Sequence, residues 1–432
     1  MIDYKKFKIE RLDPVSPTFC AAKWLSADFW LESGTTSSCH LPPPHKIDLN
    51  SVANNIHTIN NTKEKINQRS QMLEGKKPEG CSNCWQVEEK NSEAITERIV
   101  TSYDNYSDRD FTTLDLSVDQ VPKIITVAFD SLCNFTCSYC DAGSSSSWAT
   151  DLKINGPFKG IVGDSRNTYQ RLGKKDKLSN LEYNFILNKF TDYVMANMSD
   201  IEYIRCLGGE PLFSQNFWKF LDTICQQDCS QLNLIIVTNL SDTSRIKKIL
   251  NYRSKFKSIE FNVSIENIGD RAEFVRSGLD WQVFESNLHL LLGSDVEIKL
   301  LSTVGLLALD GLNDFLNWYK IYDTRIKLDM FRLRYPIFQA PQVLPSNLKK
   351  HYGQILDRWI TLNPQGSKTS PHLSEQIKNI VTILNDDCII YNNVDVDVLR
   401  TSAKQFYKEY AVRHKHSIKD IFSSEMSDWI LN

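Results

Sequence analysis

The chain of 432 residues has no apolar run approaching the roughly 18–20 residues of a membrane span. Its start, MIDYKKFKIE, lacks the apolar stretch of a secretory signal, so a cytoplasmic protein without membrane contact is expected. Neither charge is in marked excess: 50 Lys+Arg stand against 53 Asp+Glu, a net −3. That excludes an overall basic field for wrapping nucleic acid, and a local basic run such as Lys174-Lys175-Asp176-Lys177 is short and broken by acid. Eleven cysteines are too few, and odd in number, for a disulfide scaffold of this size; in a reducing compartment they are core residues or metal ligands. What is present is an ordinary globular composition, 41% hydrophobic and 24% charged, sufficient for a packed core. The length suits two or three domains of ~150 residues, or a barrel with an appended module.

Residues 1–120 read as irregular, with Pro14, Pro17 and Pro42 to Pro44, a Ser/Thr/Gly stretch at 33–38 and an Asn-rich piece at 50–61. One short helix is expected near 62–74, where Ile66 and Leu73 lie nearly two turns apart and Gly75 supplies a stop. So little periodic apolar surface calls for another source of order, which bound metal would supply. From about 123 the texture changes. Short apolar runs at 123–130, 201–207, 232–238, 258–265, 296–304 and 326–333 read as strands, separated by amphipathic helices such as 182–197, 215–227 and 282–293. Apolar strands alternating with helices make a parallel sheet. Six of them fit an incomplete TIM-like barrel or an open doubly wound sheet. Residues 141–180 form a long insertion after the first strand, and 345–432 reads as three or four helices.

Directly after the first strand stands Cys133-Asn-Phe-Thr-Cys137-Ser-Tyr-Cys140. Three thiolates on one short loop can hold three corners of a cubane iron–sulfur cluster and leave the fourth iron open. Zinc is the competing reading, although a four-cysteine zinc knot closes every position. The loop follows the C-terminal end of a strand, where parallel α/β folds place their chemistry. The second strand runs into Gly208-Gly209-Glu210-Pro211; with only 17 glycines in the chain, an adjacent pair at a strand end points to close backbone approach or positive φ.

Loop and glycine pair together resemble the radical S-adenosylmethionine (SAM) superfamily. The resemblance implies that Cys133, Cys137 and Cys140 hold a [4Fe–4S] cluster whose open iron chelates the methionine end of SAM, with Tyr139 as the aromatic residue before the last cysteine. It further implies that Gly208, Gly209, Glu210 and Pro211 form the GGEP motif that contacts the methionyl amino group. Asn239 at the end of the third strand, Ser264 in the fourth and Arg276 beyond it follow in the family's order as SAM contacts; singly, each also fits an ordinary role, a serine bonding backbone or an arginine facing water.

A second set consists of Cys81 and Cys84, a C-x2-C pair, with Cys20 in FCAAKW and Cys39 in SSCHLPPP. With a turn at Gly34, it is similar to the SPASM and twitch auxiliary-cluster modules, and FCAAKW, GKKPEGCSNCWQVEE and SSSSW resemble the twitch branch in particular. The resemblance implies a closed auxiliary [4Fe–4S] cluster on these four cysteines, in a module that here precedes the barrel whereas in most relatives it follows. His40 and His45 leave a zinc site of three cysteines and one histidine open. Cys206, Cys225, Cys229 and Cys388 have no companions at ligand spacing and read as buried small hydrophobes.

The sequence thus leads to an α/β chain: an auxiliary iron–sulfur module at 1–121, a partial (β/α)6 TIM-like barrel at 122–344 and a helical region at 345–432. The resemblance implies an enzyme that reductively cleaves SAM to a 5′-deoxyadenosyl radical, which abstracts hydrogen from a substrate at the barrel mouth beneath the 141–180 insertion. It also implies a flavodoxin- or ferredoxin-like electron donor. Relatives with auxiliary clusters commonly modify ribosomally made peptides, so a peptide leads as substrate, with a sugar, nucleoside or small metabolite as the alternative. A zinc-dependent binding module is the reading of another class. No catalytic acid or radical-donor cysteine stands out.

Overall fold

The computed structural model describes residues 3–91, 93–116, 119–162, 177–364, 366–385 and 394–432. Its strands are β1 (Ser26–Trp30), β2 (Thr35–Ser37), β3 (His45–Lys46), β4 (Ile124–Ala128), β5 (Thr136–Cys137), β6 (Tyr203–Leu207), β7 (Asn233–Thr238), β8 (Ser258–Ser264), β9 (Arg276–Ser277), β10 (Glu297–Val304) and β11 (Ile326–Arg332). Nine of them form one sheet in the order β11-β10-β8-β7-β6-β4-β1-β2-β3, while β5 and β9 pair separately.

All six expected strands are present, as β4, β6, β7, β8, β10 and β11, and neighbouring members of this set pair in parallel. Their order advances in one direction along the sheet. A doubly wound sheet reverses its strand order at a switch point; among these six parallel strands there is no reversal. The chain therefore winds one way into an unclosed six-stranded barrel segment. Leu234, Ile236, Ile259, Phe261, Val263 and Leu300 are fully buried along alternating positions, as the face of each strand that packs into the core requires. Helix Asn180–Ala196 packs on that sheet and opens with a capping box in which the Ser179 hydroxyl accepts from the Glu182 N–H and the Glu182 carboxylate accepts from the Ser179 N–H.

The N-terminal segment departs from its expected irregularity. β1 joins the barrel sheet in parallel with β4, in register from Ser26 opposite Ile124 to Trp30 opposite Ala128, and β2 and β3 continue antiparallel. Helices Ala21–Leu25, Lys63–Leu73, Ser82–Lys90 and Glu97–Tyr106 surround a core of Phe19, Trp24, Trp85, Ile99, Tyr106 and Phe111. β1 and the first of these helices have five residues each, too short for a period to register, and the core draws its side chains from separated segments. The expected helix at 62–74 is Lys63–Leu73, opened by the Thr62 hydroxyl, which accepts from the Lys65 N–H, and stopped by Gly75 at φ +73°.

The C-terminal region holds five helices among its described residues, where three or four were expected: Ser346–Leu362, Leu373–Asn385, Val396–His414, Ile418–Ile421 and Ser424–Leu431. The two short ones escape detection by periodicity. Cys206 and Cys229 are buried, and Cys225 follows a helix that ends at Ile224, before the expected 227. Cys388, Lys174, Lys175 and Asp176 lie outside the described residues, as does 163–176 of the 141–180 insertion. Among the described residues no helix is long and apolar enough to cross a membrane.

Candidate functional site

The loop of Cys133, Cys137 and Cys140 leaves β4 and is fixed almost entirely through its backbone. β5 within it pairs antiparallel with β9, setting Cys137 opposite Arg276, and the Ser138 N–H donates to Val275 O at 2.7 Å. The serine run that follows binds the loop from one side. Ser145 Oγ donates to Phe135 O at 2.7 Å, while Ser146 and Ser147 donate to Cys133 O at 3.1 and 2.8 Å. Trp148 Nε1 donates to Cys137 O at 2.9 Å. From the C-terminal side, Tyr410 donates its hydroxyl to Thr136 O at 2.7 Å, and Gln339 Nε2 donates to Ser138 O at 2.7 Å. Gln339 is held in turn by the Tyr407 hydroxyl, which donates to its Oε1 at 3.1 Å. Sequence reasoning missed Gln339, Tyr407 and Tyr410, which carry no local signal.

The glycine pair after β6 packs against this loop. Gly208 has φ +132°, and a Cβ there would stand 2.8 Å from Asp130 O; a Cβ on Gly209 would stand 2.2 Å from Leu132 O. The Gly209 and Glu210 N–H groups donate to Asp130 O and Leu132 O at 3.2 and 2.7 Å. The close approach inferred from the two glycines is thus one of backbone to backbone, joining the β6 turn to the cysteine loop.

Cys133, Cys137, Cys140, Tyr139, Gly208, Gly209, Glu210, Asn239, Ser264 and Arg276 all line one cavity of about 230 Å³ at the C-terminal ends of β4 to β8, together with Thr238 and Thr303. Pro211 lies outside that lining, buried at the first position of a short 3₁₀ turn. Glu210, 2% exposed, accepts from the Leu212 and Asn239 N–H groups at 3.2 and 2.6 Å and from the Thr238 hydroxyl at 2.9 Å. Burial nonetheless raises its carboxyl to about 7. Asn239 also donates from Nδ2 to Asn134 Oδ1 at 2.9 Å, tying the end of β7 to the cysteine loop.

Arg276, 6% exposed, is engaged within the chain. Its Nε donates to Glu266 Oε2 at 2.7 Å, its Nη2 to Glu266 Oε1 at 2.5 Å and its Nη1 toward Cys137 Sγ at 3.8 Å. The Tyr139 hydroxyl donates to Glu266 Oε1 at 2.5 Å. Glu266, 1% exposed and two residues beyond Ser264 in VSIEN, was overlooked in the sequence; an acidic residue at the end of an apolar strand was the available signal.

Burial pushes the Cys137 thiol up to about 12, with Cys133 and Glu266 adding to the rise and Arg276 opposing it, and burial likewise raises Cys133 and Cys140. Thiols so placed ionise only beside a strong local positive charge, which iron supplies. The donor set therefore fits a cluster held by three thiolates.

The four N-terminal cysteines also meet. Cys20, Cys39, Cys81 and Cys84 line a second cavity, from residues that precede helix Ala21–Leu25, follow β2, and open helix Ser82–Lys90. Burial raises Cys39 and Cys84 to about 12, and raises Cys20 with help from Cys81. His40 and His45 are not among the lining residues. His40 is exposed, and His45 Nε2 is bonded to Thr62 Oγ1 at 2.7 Å. Among the described residues no three His, Cys, Asp or Glu side chains converge on the position of a single ion.

A family model described as the radical SAM superfamily matches residues 130–315. No curated protein matches the chain. Among solved structures, the chain is similar to native anSMEcpe with bound AdoMet at 17% identity over 56% of this chain and 63% of that one, with a TM-score of 0.37. It is similar to native anSMEcpe with bound AdoMet and Cp18Cys peptide at 16% identity over 57% and 63%, also with a TM-score of 0.37. The match spans less than two thirds of those chains. The family match runs from the end of β4 through β10 and takes in the cysteine loop, the glycine pair and the lining residues from β7, β8 and β9, so residues 130–315 of this chain are similar to the radical SAM superfamily domain, a fold that binds a [4Fe–4S] cluster and SAM.

Proposed function

We propose that Cys133, Cys137 and Cys140 hold the [4Fe–4S] cluster with one iron left for SAM, and that the chain uses this pair of cofactors to abstract hydrogen from a peptide substrate. The observation that carries this reading is the meeting of three thiols from one loop with Gly208, Gly209, Glu210, Asn239, Ser264 and Arg276 in a single cavity at the strand ends. When bound, the cluster and SAM supply one-electron reductive cleavage of the sulfonium, the source of a 5′-deoxyadenosyl radical. The chain's own part is placement and dryness. Glu210 offers an acceptor to an ammonium, Ser264 and Asn239 offer polar contacts, and the buried floor excludes water. Arg276 keeps the Tyr139–Glu266 pair against the Cys137 side of the loop.

The four N-terminal cysteines are read as ligands of an auxiliary [4Fe–4S] cluster, with 1–121 as the auxiliary module, 122–344 as the barrel and 345–432 as the helical region. Four thiols lining one cavity, with the two histidines outside its lining, favour a cluster over a zinc site of three cysteines and one histidine. A peptide leads as substrate because the cysteine pattern resembles SPASM and twitch modules; a sugar, nucleoside or small metabolite is the second reading. A flavodoxin- or ferredoxin-like protein would supply the electron. Anaerobic purification followed by reduction with SAM present tests the whole. About eight irons per chain, four for each cubane cluster, and release of 5′-deoxyadenosine are expected. Zinc alone, or no cleavage of SAM, overturns the proposal.

A further inference from the structure

Lys23 stands in helix Ala21–Leu25, lines the cavity of the four N-terminal thiols and is 3% exposed. Its ammonium donates to the amide oxygen of Gln68, whose Nε2 donates to Glu64 Oε1 at 2.6 Å. Among the described residues no carboxylate lies within ion-pair distance of Lys23. The neighbouring Arg98 behaves differently: it lines the same cavity but is neutralised by Glu88, at 2.7 Å from Nε and 3.1 Å from Nη2. Glu97, the carboxylate in the lining, accepts from the Thr101 hydroxyl at 2.8 Å and its side chain is 34% exposed. A buried ammonium bonded only to a neutral amide is unfavourable unless negative charge develops beside it. The groups that can supply that charge are the four thiols, and the Lys23 charge acts on both Cys20 and Cys39.

We propose that Lys23 is the built-in counter-charge of an anionic metal–thiolate centre on Cys20, Cys39, Cys81 and Cys84, and that it favours the reduced form of that centre. This rests on reading the four thiols as an iron–sulfur site. Four thiolates outweigh the charge of a cubane core and leave the centre anionic, and each added electron deepens that charge beside a fixed cation. Charge and hydrogen bonding near the sulfurs set the potential of such clusters. The cluster-free protein, in contrast, keeps the ammonium without its partner.

The test begins with the full chain carrying Cys137→Ala, in which only the N-terminal set remains complete. About four irons should remain; none would defeat the cluster reading itself. In that background Lys23→Met, Lys23→Arg and Gln68→Glu are compared by redox titration. Lys23→Met should lower the ratio of reduced to oxidised centre at least tenfold at fixed poise, a downward shift of about 59 mV for a one-electron couple. Lys23→Arg should stay near the parent, and Gln68→Glu, which hands the ammonium a carboxylate, should move with Lys23→Met. Loss of the cluster from Lys23→Met but not from Lys23→Arg supports the same charge requirement. Iron retained with unchanged potentials throughout, or cluster loss from both Lys23 variants, overturns it. Thermal unfolding of the cluster-free chain gives a second readout: Lys23→Met should unfold at a higher temperature than the parent, and a lower one counts against the proposal.

Discussion

The cysteine loop of the barrel and the N-terminal cysteine set reach similar donor chemistry by opposite routes. Cys133, Cys137 and Cys140 come from eight consecutive residues whose backbone is bonded to β9, to the serine run, to Trp148 and to the C-terminal helix. Cys20, Cys39, Cys81 and Cys84 come from three separated segments and meet through the packing of Phe19, Trp24 and Trp85 around them. The first site opens into a cavity lined by glycines, a carboxylate, an amide and a serine, while the second sits against an apolar core with one unpaired ammonium. A site that must admit a guest keeps its backbone rigid and leaves polar groups over; a closed site needs only convergence and charge balance.

Removing one ligand from each site breaks the comparison most severely. Cys137→Ala should reduce 5′-deoxyadenosine formation to background and lower iron by about half, as measured by product chromatography and iron analysis. Cys84→Ala should leave uncoupled SAM cleavage detectable while blocking product; full turnover by that variant would make the N-terminal site purely architectural. A gentler change separates the two routes. Tyr410→Phe deletes a buried hydroxyl that holds Thr136 O, which costs about 1–3 kcal/mol. It should hasten iron loss from the barrel loop while leaving the N-terminal set unchanged, as followed by iron release over time.

The smallest effect expected is one of pH. Burial raises the Glu210 carboxyl from 4.5 to about 7, so between those values the folded chain keeps a proton that the unfolded chain has lost. Its contribution to stability is fully present below pH 4.5 and is lost as pH rises through about 7. Thermal unfolding of the cluster-free protein should show that decline, and Glu210→Gln should flatten it.

The parts legible in the sequence were those carried by contiguous residues. Six apolar strands, the C-x3-C-x2-C spacing and the adjacent glycines are local patterns, and the strands stand within a few residues of where periodicity sets them. The choice between a barrel and a doubly wound sheet was not local, because it depends on which way each crossover turns. β1 was invisible for another reason. Ser-Ala-Asp-Phe-Trp is too short to show a period and becomes a strand only because β4 offers it a parallel edge. Tyr407, Tyr410 and Gln339 read as ordinary helix and loop residues until the chain returns them to the cysteine loop.

By itself the chain's order of residues determined the donor types, their spacing on one loop and the alternation that makes a parallel sheet, since all of these depend on neighbours a few positions apart. Tertiary structure alone decided that four distant thiols share a cavity, that Arg276 pairs with Glu266, and that Lys23 is buried in the lining of the thiol cavity with no carboxylate at ion-pair distance among the described residues. Burial and charge pairing arise from residues far apart in the chain, and only the folded packing brings them within range of one another.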